Sequence, residues 1–272
     1  MNREDQAVSV AAWLGESLAL VAISALVLAW MVPAVDRRLP PARKEPLWLP
    51  QLAFVALATF LLCTLVVPAL IVKAFGASDG APSPELGTFA TAVANLLAIG
   101  LTLVVARRRF DATAADVALA RPRPLALAFG ALAIVAAFPA FLGISFVNLR
   151  LTEALGLEPH QALVQTLLDD REFLSRPWVL ASIVLVVPFC EELLFRGLLQ
   201  RALRVAMPAA PAILASSFLF AVVHDPQSLL PVFTIGVVLG IVVEVTGSVW
   251  AATLAHGLFN AVNLATIARD AG

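Results

Sequence analysis

Apolar residues run along the chain in eight stretches separated by polar breaks. The stretches are Ala11–Val35, Trp48–Val72, Leu86–Ala106, Pro124–Val147, Trp178–Leu199, Ala209–His224, Leu229–Val245 and Ser248–Ile267. A membrane-spanning helix takes roughly 20 apolar residues, and most of these stretches reach that length. The sixth and seventh are shorter and closely joined. Backbone polar groups in lipid need partners within their own segment or a closed barrel. The alternating ten-residue segments of a β-barrel are missing. The pattern therefore predicts an all-α polytopic membrane protein of about eight transmembrane helices, forming one membrane domain over residues 1–272. The first stretch is too long for a signal peptide, and Glu4 and Asp5 offset Arg3 ahead of it. It is expected to stay as a membrane anchor.

Composition agrees. Of the 272 residues, 61% are hydrophobic and 14% charged, and mean hydropathy is +0.93. Soluble domains carry about 25% charged residues, so an ordinary cytosolic enzyme and a disordered chain are both excluded. Net charge is −1, which leaves no basic excess for nucleic acid. The two cysteines, Cys63 and Cys190, lie inside apolar runs and form no disulfide framework. Only Lys44 and Lys73 are lysines. That Arg-over-Lys bias fits the base composition of a GC-rich bacterium, and the expected location is a bacterial inner membrane.

The polar breaks alternate in charge. Asp36–Pro46 holds Arg37, Arg38, Arg43 and Lys44, and Arg107–Arg123 holds five arginines. Arg201 and Arg204 follow the fifth stretch in the same phase. The opposite phase is poorer in basic residues. Its longest loop holds Glu153, Glu158, Asp169, Asp170 and Glu172. The positive-inside rule then predicts both termini outside the cytoplasm. Within that loop Leu151–Leu174 mixes apolar and charged residues at helical spacing, so residues 150–177 read equally as an interfacial helix or a covering loop. Gly236 and Gly240 form a GxxxG pair, read as close helix packing in the seventh stretch.

Ionisable groups inside membrane helices cost roughly 2.5–3.5 kcal/mol each on insertion scales. Here they gather in the last third of the chain. The fifth stretch holds Glu191, Glu192 and Arg196, the sixth ends at His224, and the eighth holds His256, Asn260 and Asn263. Glu192 and Arg196 are four apart and share a helix face. Glu191 is about 100° away and points elsewhere. Pro188 can bend the helix nearby. Taken singly, these residues also fit a packing ion pair, a helix end near water, and interhelical hydrogen-bond glue. Taken together, a free carboxylate, two imidazoles and a carboxamide are what water-mediated amide cleavage needs. Neither Gly-x-Ser-x-Gly nor His-Glu-x-x-His occurs in these stretches. Cys190 in apolar surroundings is not read as a nucleophile. Glu244 reads as a solvated helix end. Intramembrane acids also mark ion pathways, but no matched halves of a transporter are visible.

Glu191-Glu192-Leu-Leu-Phe-Arg196 resembles the EExxxR motif of the CPBP family, the CAAX proteases and bacteriocin-processing enzymes also called Abi. Phe220-Ala-Val-Val-His224 is similar to its FxxxH motif, and His256-Gly-Leu-Phe-Asn260 to its HxxxN motif. The resemblance covers residues 178–264. It implies a catalytic core there and an eight-helix intramembrane endopeptidase like the type II CAAX prenyl endopeptidases, with its site between helices five, six and eight. It implies that Glu191 and His224 activate water, that His256 and Asn260 bind the oxyanion, and that Glu192 and Arg196 brace the site. The substrate would be a membrane-anchored protein or peptide in the bilayer. A non-proteolytic scaffold or bacteriocin-immunity protein of the same fold is the alternative. Metal use stays open. Glu191, His224 and His256 would suit a His₂Glu zinc site, but Glu192 would then have to be the base, and its spacing commits it to Arg196. No cofactor is favoured, and zinc is possible.

One expectation conflicts with the rest. At 1.5 Å per residue, Glu191 lies roughly 15–20 Å from the Arg201–Arg204 boundary, His256 about 12–14 Å from Ser248, and His224 about 22 Å from Ala209. Side chains at those depths would not converge without tilt, a bend at Pro188 or shifted helix ends.

Overall fold

The computed structural model describes residues 3–36, 45–75, 83–156 and 173–270. Eight helices correspond to the eight apolar stretches. They are α1 (Arg3–Asp36), α2 (Leu49–Phe75), α3 (Pro84–Phe110), α4 (Pro124–Ala154), α5 (Pro177–Arg204), α6 (Ala209–Val222), α7 (Leu229–Thr246) and α8 (Val249–Asp270). No strand occurs among the described residues. The protein is an all-α, multi-pass membrane protein.

Six helices, α1 to α5 and α7 together with the turn before it, are long and apolar enough to cross a membrane. α6 has only 14 residues. α8 has 22, but His256, Asn260 and Asn263 lower its hydropathy. The packing is inverted relative to a soluble protein. Trp30, Phe54, Leu65 and Val135 are each at least two-thirds exposed, whereas Glu192, Arg196 and Gln200 are fully buried. In lipid this is the expected arrangement, because apolar surface gains nothing by hiding and polar groups must find partners inside.

Two cores hold the bundle. One joins α2, α3 and α5 through Leu52, Phe60, Ile99, Leu194 and Phe195. The other joins α4, α7 and α8 through Phe129, Ile134, Leu239 and Ala255. Helix caps follow local chemistry. The Ser83 side chain accepts from the Leu86 amide and Pro84 opens α3, where its missing N–H costs nothing. α7 stops at Gly247, whose φ of 64° suits a left-handed cap.

Two expectations change. α4 runs seven residues past the expected Val147, to Ala154. Residues 150–154 are thus part of a membrane helix, and Phe173–Ser175 form a single 3₁₀ turn; the remainder of the expected interfacial segment, 157–172, lies outside the described residues. Glu244 is no solvated end, since it accepts from Arg204 Nε at 3.0 Å across the α5–α7 contact. The GxxxG pair does mark close helix packing, and it does more. Gly236 lets Ser217 of α6, Cα included, come close and leaves room for the Arg196 guanidinium, and Gly240 does the same for Ile213 of α6 and the Gln200 carboxamide. The two carbonyls accept from Arg196 Nη2 at 3.1 Å and Gln200 Nε2 at 3.0 Å. The small residues form a groove that seats two polar side chains of α5.

Candidate active site

α5 is not a regular helix. Ser182–Val186 and Leu193–Gln200 form π-helical turns flanking Val187–Glu192. Wider turns advance less per residue, and π-bulges free carbonyls for other partners. Pro188 lies within this stretch. One freed carbonyl, Ile183 O, accepts from Asn260 Nδ2 at 2.9 Å. Beside it, the Val184 carbonyl packs so closely on α8 that a Cβ at Gly257 would collide with it. α8 therefore lies directly against the distorted part of α5 at the residue between His256 and Leu258.

This seam brings the three motifs together. Glu191 Oε1 lies 3.9 Å from His224 Nε2, and Glu191 Oε2 lies 3.9 Å from His256 Nε2. The depth conflict is thereby resolved. The π turns shorten α5, and α6 ends at Val222, so His224 stands just past the helix end. Asn260 lines the same cavity as these three side chains. Glu191, His224 and His256 meet, and Asn260 shares their cavity.

Both imidazoles are oriented through Nδ1. His224 Nδ1 lies 2.6 Å from the Phe220 carbonyl. His256 Nδ1 lies 2.9 Å from Glu192 Oε1. Each acceptor requires Nδ1 to carry the proton, so Nε2 of each ring faces Glu191. The His256–Glu192 contact was not expected from sequence. Glu192 serves two partners through one oxygen, His256 at 2.9 Å and Arg196 Nη1 at 3.5 Å. The spacing on α5 fixed only the second. The Arg196 guanidinium also sits 4.2 Å from the centre of the Phe220 ring, whose edge or face meets both His224 and His256. Phe220 is thus the buried hub around which the charged groups are arranged.

The cavity above these groups holds about 700 Å³. Its walls come from α3, α4, α5, α7 and α8, with Thr91, Ser145, Asn148, Val232 and Asn263 among the lining residues. The Ser145 hydroxyl is shielded yet has no hydrogen-bond partner. Asn263 continues the His256–Asn260 face towards the mouth.

The donor geometry bears on zinc. Ligands about 2.0–2.1 Å from a tetrahedral zinc stand roughly 3.3 Å from one another, and the Glu191 oxygens are 3.9 Å from each imidazole. Among the described residues no three His, Cys, Asp or Glu side chains are placed to hold a metal ion. The residues as arranged do not fit one.

A carboxylate and two oriented imidazoles thus meet at a cavity within a helical membrane bundle. Residues 173–262 match the family described as Type II CAAX prenyl endopeptidase Rce1-like. The last third of this chain is thus similar to an Rce1-like domain. No curated protein and no solved structure gives a significant match to the chain.

Proposed function

We propose that the protein is an intramembrane endopeptidase that hydrolyses a peptide bond in a membrane-anchored protein or peptide, with Glu191 as general base. The observation that carries this reading is the meeting of Glu191 with two Nε2 atoms, each 3.9 Å away, in a cavity reaching the bundle surface. A gap of that size between a carboxylate and an imidazole accommodates a water hydrogen-bonded to both. Glu191 takes a proton from that water, and its oxygen attacks the scissile carbonyl. His224 Nε2 orients the water and later helps return the proton to the departing amine nitrogen.

The carbonyl oxygen gains negative charge as the tetrahedral intermediate forms. His256 and Asn260 are the donors that meet it. His256 Nδ1 is held by the Glu192 carboxylate, and the doubly protonated ring donates from Nε2–H. One Asn260 amide hydrogen is taken by Ile183 O, and the other is free to donate. Collapse of the intermediate breaks the C–N bond and releases a carboxyl and an amine. Glu192 and Arg196 do not touch the substrate in this scheme; they hold His256 and α5 in place. This scheme uses no metal ion.

The test is cleavage by purified protein in detergent or bilayers, using peptides with a membrane anchor. Glu191→Ala, His224→Ala and His256→Ala should each abolish cleavage while the protein still purifies as a folded species. Full activity in Glu191→Ala ends this reading.

A further inference from the structure

The cavity lies towards one end of the bundle. Its walls include Pro84 at the start of α3, Asn148 near the end of α4, Gln227 before α7 and Ile267 near the end of α8. All belong to the end where odd-numbered helices begin and even-numbered helices finish. At the other end, Arg107, Arg108, Arg109, Arg121 and Arg123 are exposed in the α3–α4 connection. Arg201 and Arg204 close α5 there as well, and the α1–α2 connection adds three arginines and a lysine in sequence.

The mouth end is different. Its basic residues by sequence, Arg3, Lys73, Arg150, Arg171, Arg176 and Arg269, are spread over several helix ends and one connection. Arg150 and Arg176 are paired with Glu153 and Glu85. Basic residues within about 15–20 residues of helix ends orient a bundle towards the cytoplasm. By that rule the Arg-rich end is cytoplasmic and the cavity mouth is not.

We infer that the catalytic cavity is entered from the non-cytoplasmic side of the membrane. The substrate is then a membrane-anchored polypeptide whose scissile segment lies on that side or in the outer half of the bilayer. The inference rests on the endopeptidase reading for the word substrate, but the face of entry stands independently of it. The wall chemistry fits such a segment. Asn263, Asn148 and the unpartnered Ser145 hydroxyl are uncharged groups that hydrogen-bond a peptide backbone, which an unwound segment must satisfy inside a membrane. A substrate presenting its cleavage site only on the cytoplasmic side would meet the Arg-rich end, away from the mouth.

Two measurements test this in cells expressing the full chain. Single cysteines are introduced at Leu155, exposed at the mouth end, at Asn263 on the cavity wall, and at Arg121 in the Arg-rich connection. Cys63 and Cys190 are buried and set the background. A membrane-impermeant maleimide should label Leu155→Cys in intact cells, and Arg121→Cys only after permeabilisation. Asn263→Cys should follow Leu155→Cys. Labelling of Arg121→Cys alone in intact cells overturns the inference. The second measurement uses a single-span substrate with the cleavable segment on one side or the other. Cleavage of the non-cytoplasmic version alone is expected, and cleavage of the cytoplasmic version alone overturns the proposal. If neither is cut, the endopeptidase reading fails, and the labelling pattern still decides the face.

Discussion

Gly257→Ala isolates the geometry of the site from its chemistry. It removes no polar group and adds one methyl. That methyl would run into the Val184 carbonyl on the π turn of α5. A backbone oxygen cannot swing aside as a side-chain end does, so α8 must move off α5. Restoring ordinary contact takes a shift of about 1 Å, and misplacements of that size cost up to about 10²-fold in rate. His256 and Asn260 flank Gly257, so both oxyanion donors move, and the Asn260–Ile183 bond of 2.9 Å lengthens. Overpacking of this kind destabilises by roughly 1–3 kcal/mol. The variant should purify, melt a few degrees lower, and cleave an anchored peptide with kcat down by one to two orders of magnitude. KM should change little, because the outer cavity wall is untouched. Gly100→Ala is the control, since a Cβ there meets nothing within 4 Å. Wild-type kcat in Gly257→Ala would refute the claim that the α5–α8 seam positions the donors.

Other expectations follow from the same contacts. Glu192→Ala leaves Arg196 and His256 without their shared carboxylate in a buried setting, a loss of about 3–5 kcal/mol, seen as reduced yield and a lower melting temperature; Glu192→Gln should recover part of the yield and little activity. Asn260→Ala should lower kcat by about 10²–10³ through the lost oxyanion donor, with a smaller stability loss than Glu192→Ala. Activity should survive chelation and dialysis, and elemental analysis should find well below one zinc per chain; stoichiometric zinc, lost in His224→Ala, would reverse the metal-free reading. Removing the apolar anchor from a cleaved substrate should cut turnover steeply, because anchoring raises effective concentration; equal cleavage of anchored and soluble versions would count against a membrane-held substrate.

Much of the fold was legible because lipid makes the rule simple. Eight apolar stretches gave eight helices, and the misplaced ends sit where apolar and polar residues mix, as at Val147–Ala154. The site was legible where partners share a helix. Glu192 and Arg196 are four apart, and the model places them 3.5 Å apart. The His256–Glu192 contact spans 64 positions, and no periodicity reports such a distance. The GxxxG pair illustrates a different limit. Small residues announce that a helix approaches closely, but not that a guanidinium and a carboxamide share the space. The π turns of α5 left no composition signal at all.

Adjacent glutamates with opposite surroundings explain how one helix supplies both a reactive group and a brace. A rotation of about 100° per residue turns Glu192 inward, where it is fully buried against His256 and Arg196. The same rotation turns Glu191 to the cavity, where it keeps 14% of its surface. On the buried side, Arg196 packs on the Phe220 ring and donates to the Gly236 carbonyl. A hydrolase in lipid must admit water to one carboxylate and deny it to the rest of the bundle. Here that division falls between two consecutive residues. Exchanging their roles would require the helix to turn by a quarter, which the Arg196 and Gln200 side chains, seated in the α7 groove on Gly236 and Gly240, prevent.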